Sequence, residues 1–248
     1  MSWVDSHCHL DHKAFADDLT HVLQQAMQAG IDKFIVPGTA FHAWEQQQAL
    51  EQKYPNIYLA YGIHPWFCDL HTEEHLQQLD DLLNHAVAVG ECGLDLSPNK
   101  PDIKTQIYWF EAQLDLADKH ALPVIIHSVQ AHHVVVDLLA KHPGLHGVVH
   151  GFTGNIQQAQ AFIERGFHIG IGTRLIKAAS DKTKSLLTKL PLEHILLETD
   201  APDGLGKDAR NEPKELIVVA NIVAKLGGHN TEDVLHLCSQ HAKDLLKL

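Results

Sequence analysis

The chain has 248 residues, of which 45% are hydrophobic and 20% are charged, and this composition is ordinary for a soluble globular protein. The formal net charge of −12 argues against tight nonspecific binding to long nucleic acid through a broad basic face. A small substrate, or a short strand end that reaches a metal, is compatible with that charge. No apolar run approaches the roughly 20 residues of a membrane span, so we expect no membrane segment.

The four cysteines, Cys8, Cys68, Cys92 and Cys238, form no Cys-x-x-Cys pair and no dense framework. This usage predicts a reducing compartment, with each thiol a small buried apolar group. The first residues lack the basic and apolar segments of a signal peptide. We therefore expect the protein to be cytoplasmic.

Short apolar runs that alternate with longer amphipathic stretches predict eight strands. They are Trp3–His7, Lys33–Val36, Ile57–Gly62, Ala86–Glu91, Pro123–His127, Gly147–His150, Phe167–Ile171 and Ile195–Thr199. Several are continuously apolar, as buried parallel strands are.

Helical patterns separate these strands, and Gly30, Pro55 and Gly166 mark three of the predicted helix ends. The predicted helices are Asp17–Ala29, His42–Lys53, Glu73–Asn84, Ile103–His120, His132–Lys141, Ile156–Arg165, Asp181–Leu190, Pro213–Leu226 and Thr231–Leu246.

Eight strand–helix units predict an α/β fold, a closed (β/α)8 TIM barrel with a parallel sheet. An open, doubly wound sheet is the alternative, but no Gly-x-Gly-x-x-Gly follows the first strand, which weakens a dinucleotide-binding interpretation. No linker or low-complexity segment divides the chain. We expect one domain over residues 1–248.

Residues of metal-ligand type follow five of the eight predicted strands. In a barrel, reactive residues collect at the carboxyl-terminal ends of the strands, so residues far apart in sequence meet at one mouth. The candidate ligands are His7, His9, Glu91, His127, His150 and Asp200.

The two-residue period of a strand predicts where the first of these ligands point. His7 and His9 share a face, and Cys8 points to the other, so we exclude Cys8 and, by the same rule, Cys92 as ligands. A lone His-x-His pair is weak evidence in a chain with 21 histidines. The evidence for a metal site becomes stronger because candidate ligands also follow four other predicted strands.

The same alternation predicts that Glu91 shares a face with Val87 and Val89, and that His127 shares one with Ile125. Four imidazoles and two carboxylates in a dry site would lack partners or repel one another unless cations lie between them. Six ligands exceed what one tetrahedral zinc needs. Two divalent ions roughly 3.5–4 Å apart, with Glu91 as the bridge, would use them all. The alternative is that several are core polar residues with backbone partners.

Seven segments resemble motifs of the TatD-like metal-dependent hydrolases, within the amidohydrolase superfamily, and are most similar to the YjjV-like branch. These segments are Asp5-Ser6-His7-Cys8-His9-Leu10-Asp11, Gly62-Ile63-His64-Pro65, Gly90-Glu91-Cys92-Gly93-Leu94-Asp95, Pro123-Val124-Ile125-Ile126-His127-Ser128, His150-Gly151-Phe152-Thr153-Gly154, Leu197-Glu198-Thr199-Asp200-Ala201-Pro202 and Arg210-Asn211-Glu212-Pro213.

The resemblance implies a barrel of the amidohydrolase type with two divalent ions, either zinc, manganese, magnesium or nickel. It assigns His7, His9, Glu91 and Asp200 to one ion. It assigns Glu91, His127 and His150 to the other. Members of the family act as deoxyribonucleases or related phosphodiesterases, which implies DNA, a nucleotide or a small phosphate ester as substrate.

One position departs from the family pattern. Val129 stands where the family often has an arginine after the His-Ser of the fifth strand, and valine cannot clamp a phosphate. The departure weakens the nuclease prediction more than the metal prediction.

A water activated by the cations would attack phosphorus, with the second cation polarising a nonbridging oxygen. Asp200 is the candidate general base, alternatively a ligand only, and Glu91 is the other catalytic candidate. His64 and Arg174 are candidate substrate contacts, with Lys177 beside Arg174, although each fits a loop role equally well. Asp95 is expected to support the Glu91 loop.

Glu198 is expected to be structural. Two alternatives to a phosphodiesterase stay open: a hydrolase of amides, lactones or other esters on the same barrel, and a metal-binding protein without turnover. We expect no stable nucleic-acid complex, and the sequence leaves protein partners open.

Overall fold

A computed structural model describes residues 2–174, 180–206 and 209–248. Eight parallel strands form one sheet in which every strand pairs with its neighbours in sequence. The strands are β1 (Trp3–Asp5), β2 (Ile31–Pro37), β3 (Ile57–Tyr61), β4 (Ala88–Asp95), β5 (Val124–Val129), β6 (Gly147–Val149), β7 (Phe167–Ile171) and β8 (Ile195–Leu197).

The sheet curls until its first and last strands meet. The Ser6 amide donates to the Leu197 carbonyl at 3.0 Å, and the Asp200 amide donates to the His7 carbonyl at 2.9 Å. These bonds link the two chain segments that leave β1 and β8. The sheet is therefore a nearly closed barrel, which confirms the predicted (β/α)8 fold.

Helices connect the strands and cover the outside of the barrel. In the described parts of the chain they are α1 (Leu19–Gln28), α2 (Phe41–Lys53), α3 (Glu73–Leu82), α4 (Ile103–His120), α5 (His132–Leu139), α6 (Ile156–Ile163), α7 (Asp181–Lys189), α8 (Leu216–Gly227) and α9 (Thr231–Leu246). None of the described helices combines the length and the apolar character needed to cross a membrane.

Helix caps explain why some predicted bounds agree with the structure. The Asp102 carboxylate accepts the Lys104 amide at 2.9 Å at the start of α4, and Asn230 accepts the Glu232 amide at 2.8 Å at the start of α9. Such caps satisfy amides that have no partner within the helix. The bounds predicted for α4, α9 and β7 are confirmed.

Apolar side chains fill the barrel interior and close its lower end. The interior cluster contains Val4, Ile35, Ala60, Ala88, Ile125, Val148 and Leu196, one residue from each strand except β7. Ala242, Leu245 and Leu246 of α9 pack against this cluster. Because α9 also contacts the turn that precedes β8, it covers the amino-terminal ends of the strands. Polar groups gather at the other end.

The fourth strand differs from its prediction. It runs to Asp95, so Glu91 lies within β4 and not after it. The pairing of β4 with β5 shifts register between Val89 and Cys92, and Val89 packs in the outer core between strands and helices. The prediction that Glu91 shares a face with Val89 is therefore wrong, because the register shift exchanges the faces of the strand. His7 also lies beyond β1, which ends at Asp5.

Candidate metal centre

The six predicted ligand residues and His64 converge at the carboxyl-terminal end of the barrel. We call this set the mouth cluster; its members are His7, His9, His64, Glu91, His127, His150 and Asp200. All are buried except His9, which is partly exposed. The Nε2 atoms of His7 and His9 are 3.2 Å apart, as the strand alternation predicted.

Glu91 lies at the centre, and its two oxygens face different histidines. Oε2 is 3.3 Å from His7 Nε2 and 3.5 Å from His9 Nε2. Oε1 is 2.6 Å from His150 Nε2 and 2.9 Å from His127 Nδ1. One carboxylate therefore separates the imidazoles into two groups.

His64 lies closer to the ligands than a substrate contact needs to be. Its Nε2 is 3.3 Å from Glu91 Oε1 and 3.2 Å from His127 Nδ1. Three triplets in the described residues have ligand atoms within 4.8 Å of one another: His7 with His150 and Asp200, His7 with His9 and Glu91, and His64 with Glu91 and His127. His64 thus belongs geometrically to the ligand set, in addition to facing the cavity.

Asp200 follows β8 and closes the cluster from the side opposite β4. Its Oδ1 is 3.8 Å from His7 Nε2 and 3.7 Å from His9 Nε2. Asp5 holds the start of this loop with both carboxylate oxygens, which accept the Thr199 amide at 2.9 Å and the Thr199 hydroxyl at 2.6 Å. The opening motif therefore contains two candidate ligands and also fixes the loop that carries Asp200.

The support of the Glu91 loop by Asp95 stays a prediction; Asp95 accepts the Ser97 amide, just after β4, at 2.8 Å and also orients His127. Its Oδ2 accepts His127 Nε2–H at 3.1 Å and Trp66 Nε1–H at 2.6 Å. Burial acts to raise the pKa of Asp95, but hydrogen bonds from His127, Ser97 and Trp66 hold it well below its usual range. With its proton on Nε2, His127 directs the lone pair of Nδ1 to the mouth.

The protonation states of His7, His64 and Glu91 favour cation binding, whereas His150 has to release a proton before it can bind a cation. Burial lowers the pKa of both His7 and His64 to about 4, so each keeps a free lone pair at neutral pH. Burial acts to raise the pKa of Glu91, but His150, His64 and His7 hold it well below its usual range. Burial acts to lower the pKa of His150, and the Glu91 charge outweighs it and raises this pKa well above the ordinary value.

The donor set fits divalent cations. A neutral His127 that donates its one N–H, at Nε2, to Asp95 turns the lone pair of Nδ1 towards Glu91 Oε1 at 2.9 Å, so two acceptors face each other in a buried site. A cation between them relieves this conflict, and imidazole with carboxylate is a ligand mixture that suits zinc, manganese or nickel.

A cavity of about 260 Å³ opens over the cluster. Trp66, Phe67 and Asp203 line its rim beside the candidate ligands. Arg174 also lines it, is exposed, and places Nη2 3.5 Å from Asp200 Oδ2. Lys177 lies outside the described residues.

Several other predicted residues lie behind the ligands. Cys8 Sγ–H donates to the Ile35 carbonyl at 3.7 Å, so it points away from the mouth. All four cysteines are free and buried. Glu198 accepts the Gly151 amide at 2.5 Å and lies 3.7 Å from His150 Nδ1, so it supports His150 from below.

Comparison with known proteins identifies the family. The family model described as TatD related DNase matches residues 4–247. The chain belongs to the TatD family of metal-dependent hydrolases. This confirms the resemblance predicted from the seven motifs.

Individual TatD relatives cover nearly the same length. An uncharacterized metal-dependent hydrolase, YjjV, from Escherichia coli K12 is 39% identical over 233 residues, covering 90% of this chain and 88% of that protein. A protein named 3′-5′ ssDNA/RNA exonuclease TatD, from Erwinia billingiae, is 34% identical, with 94% and 95% covered. The crystal structure of the Escherichia coli YjjV protein superposes with a TM-score of 0.94 over 99% of this chain and 98% of that one.

The sequence analysis missed two residues of this chain at the edge of the mouth. Trp66 follows the motif Gly62-Ile63-His64-Pro65, and Lys100 lies in the loop after β4 with its Nζ 3.3 Å from the centre of the Trp66 ring. Tryptophan does not signal metal or acid–base chemistry, and a lone lysine in a loop does not by itself mark a site. The one signal available was that Trp66 comes directly after a motif already singled out, two residues after His64.

Proposed function

We propose that this hydrolase is a phosphodiesterase or deoxyribonuclease that binds two divalent cations, with residues 1–248 as one catalytic unit. The observation that carries the proposal is the division of contacts at Glu91. Oε2 faces His7 and His9, whereas Oε1 faces His127 and His150. With a separate set of imidazoles beside each oxygen, Glu91 would hold two cations together with these histidines.

The proposed ligands of the first cation are His7, His9, Glu91 and Asp200. Those of the second are Glu91, His127 and His150, with His64 within reach of the same position. Cations held by these residues would supply an acidified water and stabilise charge on the phosphoryl oxygens. Asp200 is the second catalytic carboxylate in the proposal, because it borders the cavity and can accept the proton of the attacking water.

Phosphate binding must come from the rim of the mouth. Val129, which pairs with Asp95 at the ends of β4 and β5, offers no cation. Arg174 is exposed beside Asp200 and can contact a phosphate oxygen. The relatives named 3′-5′ ssDNA/RNA exonuclease favour a nucleic-acid end or a nucleotide as substrate.

The net charge of −12 favours transient binding to such a substrate over a stable complex with long nucleic acid. The cytoplasm is the proposed compartment, since it keeps free thiols such as the four buried cysteines reduced.

The test compares wild-type protein with Glu91→Ala on single-stranded DNA in magnesium, manganese or zinc. We expect hydrolysis by the wild type and a loss of at least about a thousandfold in Glu91→Ala, since a cation and its water are no longer held together. Glu164→Gln is the control, because Glu164 is an exposed carboxylate at the end of α6. This variant should behave as wild type. Metal analysis should find two equivalents in the wild type and fewer in Glu91→Ala.

Equal hydrolysis by wild type and Glu91→Ala would contradict the proposal. Turnover of amides, lactones or other esters, with DNA left intact, would support the alternative hydrolase function. Two bound cations with no turnover of any ester would support a metal-binding protein.

A further inference from the structure

Trp66 is a large aromatic residue that the fold leaves exposed at the mouth. It is 45% exposed, whereas Trp44 and Trp109 are 4% and 6% exposed within the core. It lines the same cavity as His64 and Glu91. A tryptophan that served packing alone would be covered in the same way as the other two.

The exposed ring is nevertheless held in place. Trp66 Nε1–H donates to Asp95 Oδ2 at 2.6 Å, and the same oxygen accepts His127 Nε2–H at 3.1 Å. Asp95 is 1% exposed, so this shared acceptor lies inside the protein. One buried oxygen therefore fixes the position of the ring relative to a proposed cation ligand.

A positive charge accompanies the ring. Lys100 Nζ lies 3.3 Å from the ring centre, and the His64 ring meets Trp66 edge-on at 5.1 Å and 88°. The neighbours of the ring at this side of the mouth are thus an imidazole and an ammonium group. An aromatic face beside a cation is the combination with which proteins bind the bases and phosphates of single strands.

We propose that Trp66 is the specificity-determining residue of the mouth: a nucleobase next to the scissile phosphate stacks on its ring. Lys100 moves from the ring to pair with a flanking phosphate. Asp95 anchors Trp66 and His127 together, so a stacked base holds its phosphate in register with the ligands. The inference rests on the proposed function for its substrate class.

The chain offers a matched pair of substitutions at Trp66. Trp66→Phe keeps an aromatic ring and loses the N–H donor. Trp66→Gln keeps a donor that can reach towards Asp95 and loses the ring. Tyr108→Leu is the control, because Tyr108 is another exposed aromatic residue, paired with Glu73 and absent from the cavity lining.

Two probes separate the base from the backbone: pentathymidylate and a pentamer of abasic tetrahydrofuran phosphate. Hydrolysis of both is measured with the metal-loaded enzyme as separate KM and kcat. Binding is measured by fluorescence anisotropy with labelled phosphorothioate versions, which slow cleavage.

We expect the wild type to bind pentathymidylate about tenfold to a hundredfold more tightly than the abasic probe, the range that base–aromatic stacking supplies. Trp66→Gln should abolish this preference through KM and leave binding of the abasic probe within twofold. Trp66→Phe should keep most of the preference. Lys100→Ala should weaken both probes to the same degree, and more so at low salt.

An unchanged base preference in Trp66→Gln, equal losses on both probes, or a wild type that binds the two probes equally or not at all would overturn the inference. If Trp66→Gln does not fold, Trp66→Leu, which also lacks the ring, takes its place: loss of the base preference supports the inference and retention overturns it. Base-dependent binding without hydrolysis would refute the proposed function and leave the stacking site standing. Hydrolysis of both probes with equal KM would refute the stacking site and leave the proposed function standing.

Discussion

Histidines cluster at both ends of this barrel, and the two clusters differ in what surrounds the rings. At the mouth, His7 stacks on His150 with ring centres 3.8 Å apart, and carboxylates lie among the imidazoles. At the lower end, the bottom cluster consists of His168, His194 and His241. Its ring centres are 5.9 Å apart for His168 and His241 and 6.4 Å apart for His168 and His194.

The carboxylates distinguish the mouth cluster from the bottom cluster. Glu91 raises the pKa of His150 despite burial, whereas burial and neighbouring histidines lower the pKa of His168 to about 4. Every triplet of ligand atoms within 4.8 Å in the described residues belongs to the mouth cluster. A high histidine content alone therefore does not locate a metal centre, whereas a carboxylate between imidazoles does.

Metal addition should give the largest measurable difference between the mouth cluster and the bottom cluster. At a free concentration of Zn²⁺ or Mn²⁺ about one hundred times the dissociation constant, binding to the native state adds about 2.7 kcal/mol to the free energy of unfolding per site. We expect chelator-treated wild type to gain at least this amount on metal addition. The measurement is denaturant unfolding with and without metal.

Variants at the two ends serve as each other's control. His127→Ala should lose about half of the metal-dependent gain, because it removes a ligand of the proposed second cation and leaves the proposed first site in place. His241→Ala should keep the gain, since no triplet of ligand atoms within 4.8 Å in the described residues includes a member of the bottom cluster. Equal gains in both variants would show that the two clusters do not differ in metal binding.

Asp95→Asn should have the next largest effect. Residues that orient a ligating histidine typically contribute about tenfold to a hundredfold in metal affinity. Asp95 Oδ2 accepts His127 Nε2–H, so we expect a loss of that size by calorimetric titration of metal. Asp102→Asn is the control, because asparagine still caps α4 and Asp102 lies outside the mouth. An affinity within twofold of wild type in Asp95→Asn would contradict the orienting role.

Much of this arrangement could be predicted from the sequence, because strands, loop glycines and helix caps are local signals. The convergence of His7, His127 and His150 on one mouth followed from barrel topology alone. Their roles as ligands remain a prediction. The sequence also separated Cys8 from the ligands through simple alternation.

What could not be predicted depends on contacts between strands. The register shift between Val89 and Cys92 turns Glu91 inward, and alternation within β4 gives no sign of it. The shared acceptor at Asp95 joins Trp66 to His127, which are far apart in the sequence. Exposure of an aromatic residue is a property of the folded surface, so Trp66 became visible only in the structure.

The smallest predicted effect concerns acid stability at the bottom cluster. The pKa of His168 is about 4 in the folded protein, against about 6.5 for an unperturbed histidine, because burial and then the charges of His241, His194 and His146 disfavour the protonated ring. The unfolded chain therefore binds this proton first. The contribution of His168 to stability is complete above about pH 6.5 and declines as the pH falls towards 4.

His168→Gln removes that titration without adding a charge. Since His168 is partly exposed, we discount the full linkage and expect the wild type to lose about 1 kcal/mol more than the variant between pH 7 and pH 4.5. Urea unfolding at several pH values measures the difference, with chelator present so that the mouth cluster contributes equally to both proteins. Parallel pH profiles would mean that the ring is solvated enough to protonate freely, and the contrast between the two ends would then rest on metal binding alone.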